Sequence, residues 1–502
     1  MEILTNDLLT NDLLIKNLFH QAKSVRSLSI QLANSSEAKL LFLEEAIDEK
    51  KLRSFIFEPL QALTESNQNF DIRDLKEWLK DGSPVQTIKL ETCKRGLLDG
   101  KAVLIFNHNY AYLIDCSNWD IRSVGVPLSS SVYEGPASGL TEDLSTNLNL
   151  MRNYFRSSDL TITTLSVGKH AAKNMAVVSV EGKTDPDLVS EVITRLQSID
   201  VDDFIVSQIA TDALEGKGFL FPRTMTIDRP DACAMALAKG RIVLLVEGSP
   251  LAIIAPSVLF HFFQNQDDYL SEFGRFGARP LRYLYFSIAT LLPAITVAIV
   301  RFHLESMPPG LADQLIKTHG TLAPFTIELL FVILLMQIIM DGSYRLPGNT
   351  IFAVTFIGTM LISDIATDVS LFHPVTIVII GVCYITSFPV LHRGLLSPIF
   401  FMRIILLLIA HFFGFTGILI AATALIINGV FLRSLGVPYL YPLLPFQPSR
   451  WRDTIFRPSL VKVINKPNSL PFNHSKAAAG RKKRMVSLVL LHDSSIRYIF
   501  EL

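Results

Sequence analysis

The pattern of apolar and polar positions divides the chain near residue 280. Beyond it, apolar residues stop alternating with polar ones: no charge but Arg282 falls between Pro280 and Val300, and Arg301 ends the run. A spanning helix needs about 20 mostly apolar residues, so 283–300 predicts a first membrane span. Pro293 is tolerable there because neighbouring helices can satisfy the freed backbone group. Further spans are predicted at 324–340, broken only by Glu328, at 349–366 and at 372–391. From Pro398 to Leu432 the apolar run, which contains Arg403 and Gly414-Phe415-Thr416-Gly417, is either one overlong helix or two short ones joined at the glycines. Two short helices, 398–414 and 417–433, would return the chain to the side it left. The arginines support this: Arg345, Arg393 and Arg403 fall on one side, and the loop 364–373 carries neither Lys nor Arg. The expectation is five to six spans, six being favoured, or four with a re-entrant hairpin. A soluble domain with a very apolar core is excluded by the succession of nearly uncharged segments with little polar cover.

Before residue 280 the pattern is that of a folded soluble region. Residues 20–80 predict helices, with apolar positions at three- and four-residue spacing through Ala38-Lys-Leu-Leu-Phe-Leu and Lys51-Leu-Arg-Ser-Phe-Ile-Phe. Two apolar runs flanking Asn107-His-Asn109 predict a β-hairpin over 100–115. An amphipathic segment covers 148–155. A strand is expected at 175–181, then a helix opened by Asp185-Pro186 with Leu188, Val192 and Leu196 on one face. A second helix at 231–239 leads to a strand at 241–247 and the turn Gly248-Ser249-Pro250. Strands alternating with helices predict an α/β region, in two subdomains, 1–125 and 126–280. The membrane domain then occupies 281–433 and a tail 434–502.

Charge sharpens this division. The 502 residues carry no net formal charge, 49% are hydrophobic and only 18% are charged. Residues 1–280 hold 28 Lys+Arg against 37 Asp+Glu, residues 281–432 hold six of each, and the stretch from Arg433 onward holds 12 basic residues against three acidic. A mildly acidic soluble region, a membrane domain and a basic tail follow. Residues 1–20 contain Asp7, Asp12 and Lys16 and lack the uninterrupted apolar core of a signal peptide, so the front region is expected in the cytoplasm. The four cysteines have no paired spacing and read as buried apolar residues. No nucleotide loop, zinc spacing or nucleophile elbow is present, and Gly274-Arg-Phe-Gly277 lacks the strand and third glycine of a dinucleotide site. Neither an enzyme, a cofactor, a metal site nor nucleic-acid binding is therefore expected.

Between Trp119 and Pro448 short motifs occur in a recognisable order. Gly135-Pro136 precedes Leu140, Glu142 and Thr146-Asn147-Leu148, then Asp185-Pro186, Arg195-Leu196 and Ile199-Asp-Val-Asp202. Phe221-Pro222, Thr226-Ile-Asp-Arg-Pro-Asp231, Gly240-Arg241, Val246-Glu-Gly-Ser-Pro250, Phe262-Phe263, Asp267-Asp-Tyr269, Arg345-Leu-Pro347 and Ser434-Leu-Gly-Val-Pro-Tyr439 follow. In this order and spacing they resemble the A subunit of GerA-type spore germinant receptors. The chain departs from that family at Ile333, Gln337 and Met340, where charges are usual, at Asp364 and Asp368, and at Glu134, so it resembles a divergent member. The resemblance implies a multi-pass subunit of a nutrient receptor in the spore inner membrane. It also implies a multi-span B subunit and a lipid-anchored C subunit as partners, a homo-oligomer of A subunits, and germination triggered through ion release.

The residues add candidates of their own. Ionisable groups at membrane depth are costly and mark partners or water-filled paths. Glu328, the four-residue stripe Thr355, Thr359 and Ser363, and Asp364 at its outer end are candidates for an ion path. Against this, Thr and Ser also hold helices together, and Asp364 also suits the headgroup layer. Asp228, Arg229, Pro230 and Asp231 read first as a helix start, with Asp228 capping, and second as a subunit or domain contact through Arg229. Gly240, Arg241, Gly248 and Pro250 belong to the motifs expected to carry structure or coupling. Arg481-Lys-Lys-Arg484 suits either membrane lipids or a solvated tail. Two other functions compete: a non-conducting membrane scaffold, and a secondary transporter, for which the inverted repeat is missing.

Overall fold

The computed structural model describes residues 3–19, 25–31, 37–65, 78–117, 125, 127, 135–216, 220–264, 269, 272–306, 310, 324–343, 372–389, 392–446 and 454–455. The first unit begins with α1 (Leu8–Asn17), β1 (Val25–Gln31) and β2 (Glu37–Leu43). A helical run over 49–65 follows, then β3 (Val85–Thr87), α2 (Leu90–Leu98), β4 (Lys101–Phe106) and β5 (Ala111–Asp115). The strands pair antiparallel in the order β1-β2-β4-β5-β3. One face of the sheet, with Leu41, Val103 and Leu113, is covered by α1 and α2. The other, with Leu40, Leu104 and Ile114, packs on Leu52, Ile56 and Leu60 of the helical run.

The helical expectation for 20–80 holds for the run at 49–65 and fails for 25–43. Ala38-Lys-Leu-Leu-Phe-Leu is β2, an interior strand with helices on both sides, and Leu40, Leu41, Phe42 and Leu43 are all buried. A strand buried on both faces loses its alternation and cannot be told from a helix by period. The hairpin expected at 100–115 is present as β4 and β5.

The second unit comprises α3 (Leu144–Tyr154), β6 (Leu160–Val167), β7 (Lys173–Val180), α4 (Pro186–Gln197), α5 (Gln208–Glu215), β8 (Met225–Ile227), α6 (Pro230–Ala238), β9 (Ile242–Val246) and β10 (Ala252–Ala255). Its order, β6-β7-β9-β10-β8, is that of the first sheet. The likeness extends to side chains. Asp7 caps α1 by accepting from Thr10 N at 3.0 Å, and Asn11 folds back to bond both Thr5 N and Thr5 O at 2.8 Å. Asp143 caps α3 from Thr146 N at 2.7 Å, and Asn147 bonds Thr141 N at 2.8 Å and Thr141 O at 2.7 Å. Cys93 and Cys233 are fully buried on α2 and α6, and each helix is followed by a glycine of positive φ, Gly100 at 76° and Gly240 at 75°. The soluble region is thus one α–β–β–α–β–α–β–β plan used twice.

Among the described residues four apolar helices follow: α7 (Glu272–Phe302), α8 (Phe325–Ser343), α9 (Pro374–Ser387) and α10 (Leu396–Phe431). Three contain segments long and apolar enough to cross a membrane, Phe276–Phe302, Phe325–Gly342 and Leu396–Phe431. The 14 residues of α9 rise only about 21 Å. The span expected at 349–366, with Thr355, Thr359, Ser363 and Asp364, lies outside the described residues, as does Arg481–Arg484.

Within α10, Gly414 leaves helical geometry at φ 58°, ψ −144° and folds the helix into a hairpin. Leu406, Leu407 and Ala410 of one limb and Ile418 and Ala421 of the other share a core with Ala294, Val297 and Ala298 of α7. The hairpin's feet reach the second α/β unit: Leu395, Ile399 and Met402 at one end, and Leu425, Leu432 and Tyr439 at the other, pack into that unit's core. Its tip lies at the far end of α7, where a Cβ on Gly414 would stand 3.0 Å from the Phe302 ring. Beyond α10, β11 (Arg433–Ser434) and β12 (Val437–Pro438) form a small hairpin.

Candidate functional site

The helix start at 228–231 differs from the expected one. The N-cap of α6 is Arg229, extended at φ −110°, ψ 120°, as a residue before proline prefers, and it makes no side-chain cap bond. Pro230 does fill the first turn. Asp231 serves a buried pair: its carboxylate takes Arg229 Nε at 3.0 Å, Arg229 Nη2 and the Tyr269 hydroxyl. Arg229 is 1% exposed and its cation lies over the Tyr269 ring, so the pair fixes the segment entering the membrane to the α/β core. Burial and the Asp231 carboxylate push the Tyr269 hydroxyl well above its ordinary pKa.

Gly240 and Arg241 lie at the opposite end of α6. Gly240 must be glycine, because a Cβ there would stand 2.5 Å from the Lys183 carbonyl. Gly248, at φ 75°, and Pro250 form the turn between β9 and β10. Arg241 donates to Pro256 O at 3.0 Å and to Ser257 Oγ at 2.6 Å, and burial lowers its pKa to about 9. Ser257 N in turn donates to Ser434 Oγ at 3.0 Å, and Ser434 Oγ donates to Arg223 O at 2.6 Å. One hydroxyl at the foot of the α10 hairpin therefore joins two segments of the second α/β unit. Two further bonds reinforce this junction. His392 Nε2 donates to Thr226 O at 2.9 Å while its Nδ1 accepts from Gly394 N at 3.1 Å, and Arg282 Nη1 donates to Phe263 O at 2.7 Å. Burial drives the His392 pKa down to about 4, so the ring is neutral in this tautomer.

Glu328 sits in the helical bundle, 1% exposed. Its Oε2 accepts from His373 Nδ1 at 2.7 Å, His373 N at 3.2 Å and Thr376 Oγ1 at 3.3 Å, so the carboxylate closes the N-terminus of α9. Its Oε1 is buried with no hydrogen-bond partner among the described residues. At the same end of the bundle His411 bonds Thr326 Oγ1 at 3.0 Å and meets Arg301.

Arg403, counted above among the arginines on one side of the membrane, is a buried helical residue, 2% exposed. It binds Ala289 O through Nε at 2.8 Å and Ser387 Oγ through Nη2 at 3.1 Å, and it lies over the Tyr384 ring at 4.7 Å. One arginine thus ties α7, α9 and α10 together. A single charge amid apolar residues was the only signal of it in the sequence.

Residues 13–469 match the profile of the Bacillus/Clostridium GerA spore germination protein family. The chain belongs to the GerA family. Among curated GerA relatives, spore germination protein KA of Bacillus subtilis (strain 168) is 27% identical across 92% of this chain and 85% of its own. Spore germination protein GerLA of Bacillus cereus is 30% identical across 76% of this chain and 78% of its own. Among solved structures, the N-terminal domain of the A subunit of the Bacillus megaterium spore germinant receptor GerK3 is similar at 22% identity. It covers 51% of this chain and 98% of that one, with a TM-score of 0.39. The segments that resemble GerA motifs, around Arg229, Arg241, Ser257 and Ser434, gather where the second α/β unit meets the membrane helices.

Proposed function

We propose that this chain is the membrane subunit of a nutrient germinant receptor and that it forms or gates the ion-release pathway that starts germination. The observation that carries the reading is the Ser434 junction: Ser434 Oγ links the foot of the α10 hairpin to Ser257 and Arg223 of the second α/β unit. A nutrient signal received by a partner and passed to the α/β region would reach the membrane helices through these bonds. Six crossings suit this arrangement, since both feet of the hairpin meet the α/β unit. The partners are a multi-span B subunit, a lipid-anchored C subunit and further copies of this chain, in the spore inner membrane. Glu328, whose Oε1 has no partner among the described residues, and the stripe from Thr355 to Asp364 are the proposed ion path.

A non-conducting scaffold is the second reading. It is favoured by the enclosure of Glu328, whose Oε2 is engaged in closing α9. Potassium release from spores carrying this chain and its B and C subunits as the sole receptor tests both. Release on one nutrient, lost with this chain and altered by Asp364→Asn, supports the pathway. Normal release and selectivity in a correctly inserted Asp364→Asn protein would remove Asp364 from the path, and germination without ion flux through the receptor would leave the scaffold.

A further inference from the structure

Among the described residues, Arg403 has more donors than its protein partners use. Nε goes to Ala289 O and Nη2 to Ser387 Oγ, with Cys383 O at 3.5 Å, and no carboxylate pairs with it among the described residues. A guanidinium stays charged in a protein, and an uncompensated charge at this depth is costly. The same side chain lines a cavity of about 200 Å³ between α8, α9 and α10. Polar groups on its wall come from all three helices: Gln337 and Asp341, Tyr384 and Ser387, and Ser397. Asp341 and Ser397 are exposed, and Asp341 Oδ1 accepts from Gln337 Nε2 at 3.0 Å. Leu396 and Phe400 supply apolar wall. Ser397, in the first turn of α10, lies five residues after His392, which is bonded to the α/β unit, so the cavity lies at the end of the bundle facing that unit.

We propose that this cavity binds the headgroup of a phosphodiester lipid from the leaflet facing the α/β region. The phosphate would meet the Arg403 guanidinium, and a hydroxyl or ammonium donor at the other end of the headgroup would meet Asp341. Three features select this chemistry. An arginine without a carboxylate favours an oxyanion. A carboxylate across the same cavity disfavours a bare dianion and favours a headgroup carrying a donor. Apolar wall beside the polar groups suits a ligand that continues into acyl chains. The volume equals about six or seven waters, taking ~30 Å³ for each, which admits a phosphoglycerol group. A free glycerophosphodiester, with the same single phosphate charge, has the same recognition chemistry.

Native mass spectrometry on the delipidated full chain in maltoside detergent tests the site, with dioleoylphosphatidylglycerol, dioleoylphosphatidylcholine and soluble glycerophosphoglycerol as probes. Phosphatidylcholine lacks the hydrogen-bond donor. The wild-type chain should retain one phosphatidylglycerol about tenfold or more above Arg403→Gln, the loss of one charged contact. It should also retain that lipid in preference to phosphatidylcholine. Ser397→Trp leaves every Arg403 bond in place and fills the mouth, and it should lose the lipid to the same degree. Displacement by glycerophosphoglycerol would mean that the headgroup alone suffices, and resistance to it that the acyl chains are needed. Equal retention in wild type and Ser397→Trp, both folded by thermal melting, would overturn the proposal and leave Arg403 as a structural tie alone.

Discussion

Arg403 donates its Nε–H to the carbonyl of Ala289 at 2.8 Å. Ala289 is the residue whose carbonyl would ordinarily accept from position 293 of α7. That position is Pro293, which has no N–H. The arginine on α10 therefore supplies the donor that the proline on α7 withholds, and in doing so it binds two membrane helices.

The relationship predicts coupling between the two substitutions. Arg403→Met leaves Ala289 O and Ser387 Oγ without their partner and should destabilise the bundle by about 2 kcal/mol. Pro293→Ala restores an N–H one turn from Ala289, so the double variant should recover about 1 kcal/mol. Thermal unfolding of the four proteins in detergent measures the cycle, and strict additivity would refute the link.

Gly240 and Gly182 have the same backbone conformation, φ 75° and 74°, in different surroundings. A Cβ at Gly240 meets the Lys183 carbonyl at 2.5 Å, whereas none of the atoms around Gly182 lies within 4 Å. Gly182→Ala should cost about 1 kcal/mol, the left-handed penalty alone. Gly240→Ala should cost well over twice that, because the backbone itself must move. Denaturant melts of the full chain distinguish them.

The α10 hairpin depends on a conformation that is nearly confined to glycine, φ 58° with ψ −144° at Gly414. Gly414→Val adds backbone strain of about 1–3 kcal/mol and pushes into the Phe302 ring. The expected outcome is a straightened or misassembled helix whose C-terminal foot no longer meets the α/β unit. A cysteine placed at Ser434, shielded in the parent, should become reactive to a membrane-impermeant thiol reagent in the Gly414→Val background.

His392 gives the junction a pH dependence. Its folded pKa of about 4 lies below the ordinary imidazole value of 6.5, so the unfolded chain binds its proton first. The stability it contributes is complete above pH 6.5, falls as the pH drops through that interval and is gone below about 4. The whole shift corresponds to roughly 3 kcal/mol. His261, which burial holds well below 6.5, loses stability in the same direction. Replacing His392 with Gln should therefore flatten part of the decline in melting temperature between pH 6.5 and 4, and an unchanged slope would contradict the assignment.

Local chemistry made several elements legible in the sequence. Asp185 and Pro186 start a helix wherever it packs, because a carboxylate satisfies a free N–H and proline lacks one. The hairpin at 100–115 followed from two apolar strands around a polar turn. The duplication stayed hidden because its identities are few. Thr5, Asp7, Thr10 and Asn11 match Thr141, Asp143, Thr146 and Asn147, yet only their shared hydrogen bonds reveal equal roles.

By itself the sequence determined that the chain enters a membrane after about 280 residues, since bilayer thickness demands long uncharged runs, and that its last apolar run is interrupted at Gly414. Tertiary structure alone decided that 37–43 is an interior strand, that Asp231 pairs with Arg229 and that Arg403 is buried among three helices. The reason is range. A cap, a proline or a spanning length acts within a few residues of chain, whereas Arg403 finds Ala289 only when helices from positions more than a hundred residues apart are brought together, and Asp231 is buried with Arg229 under the distant Tyr269.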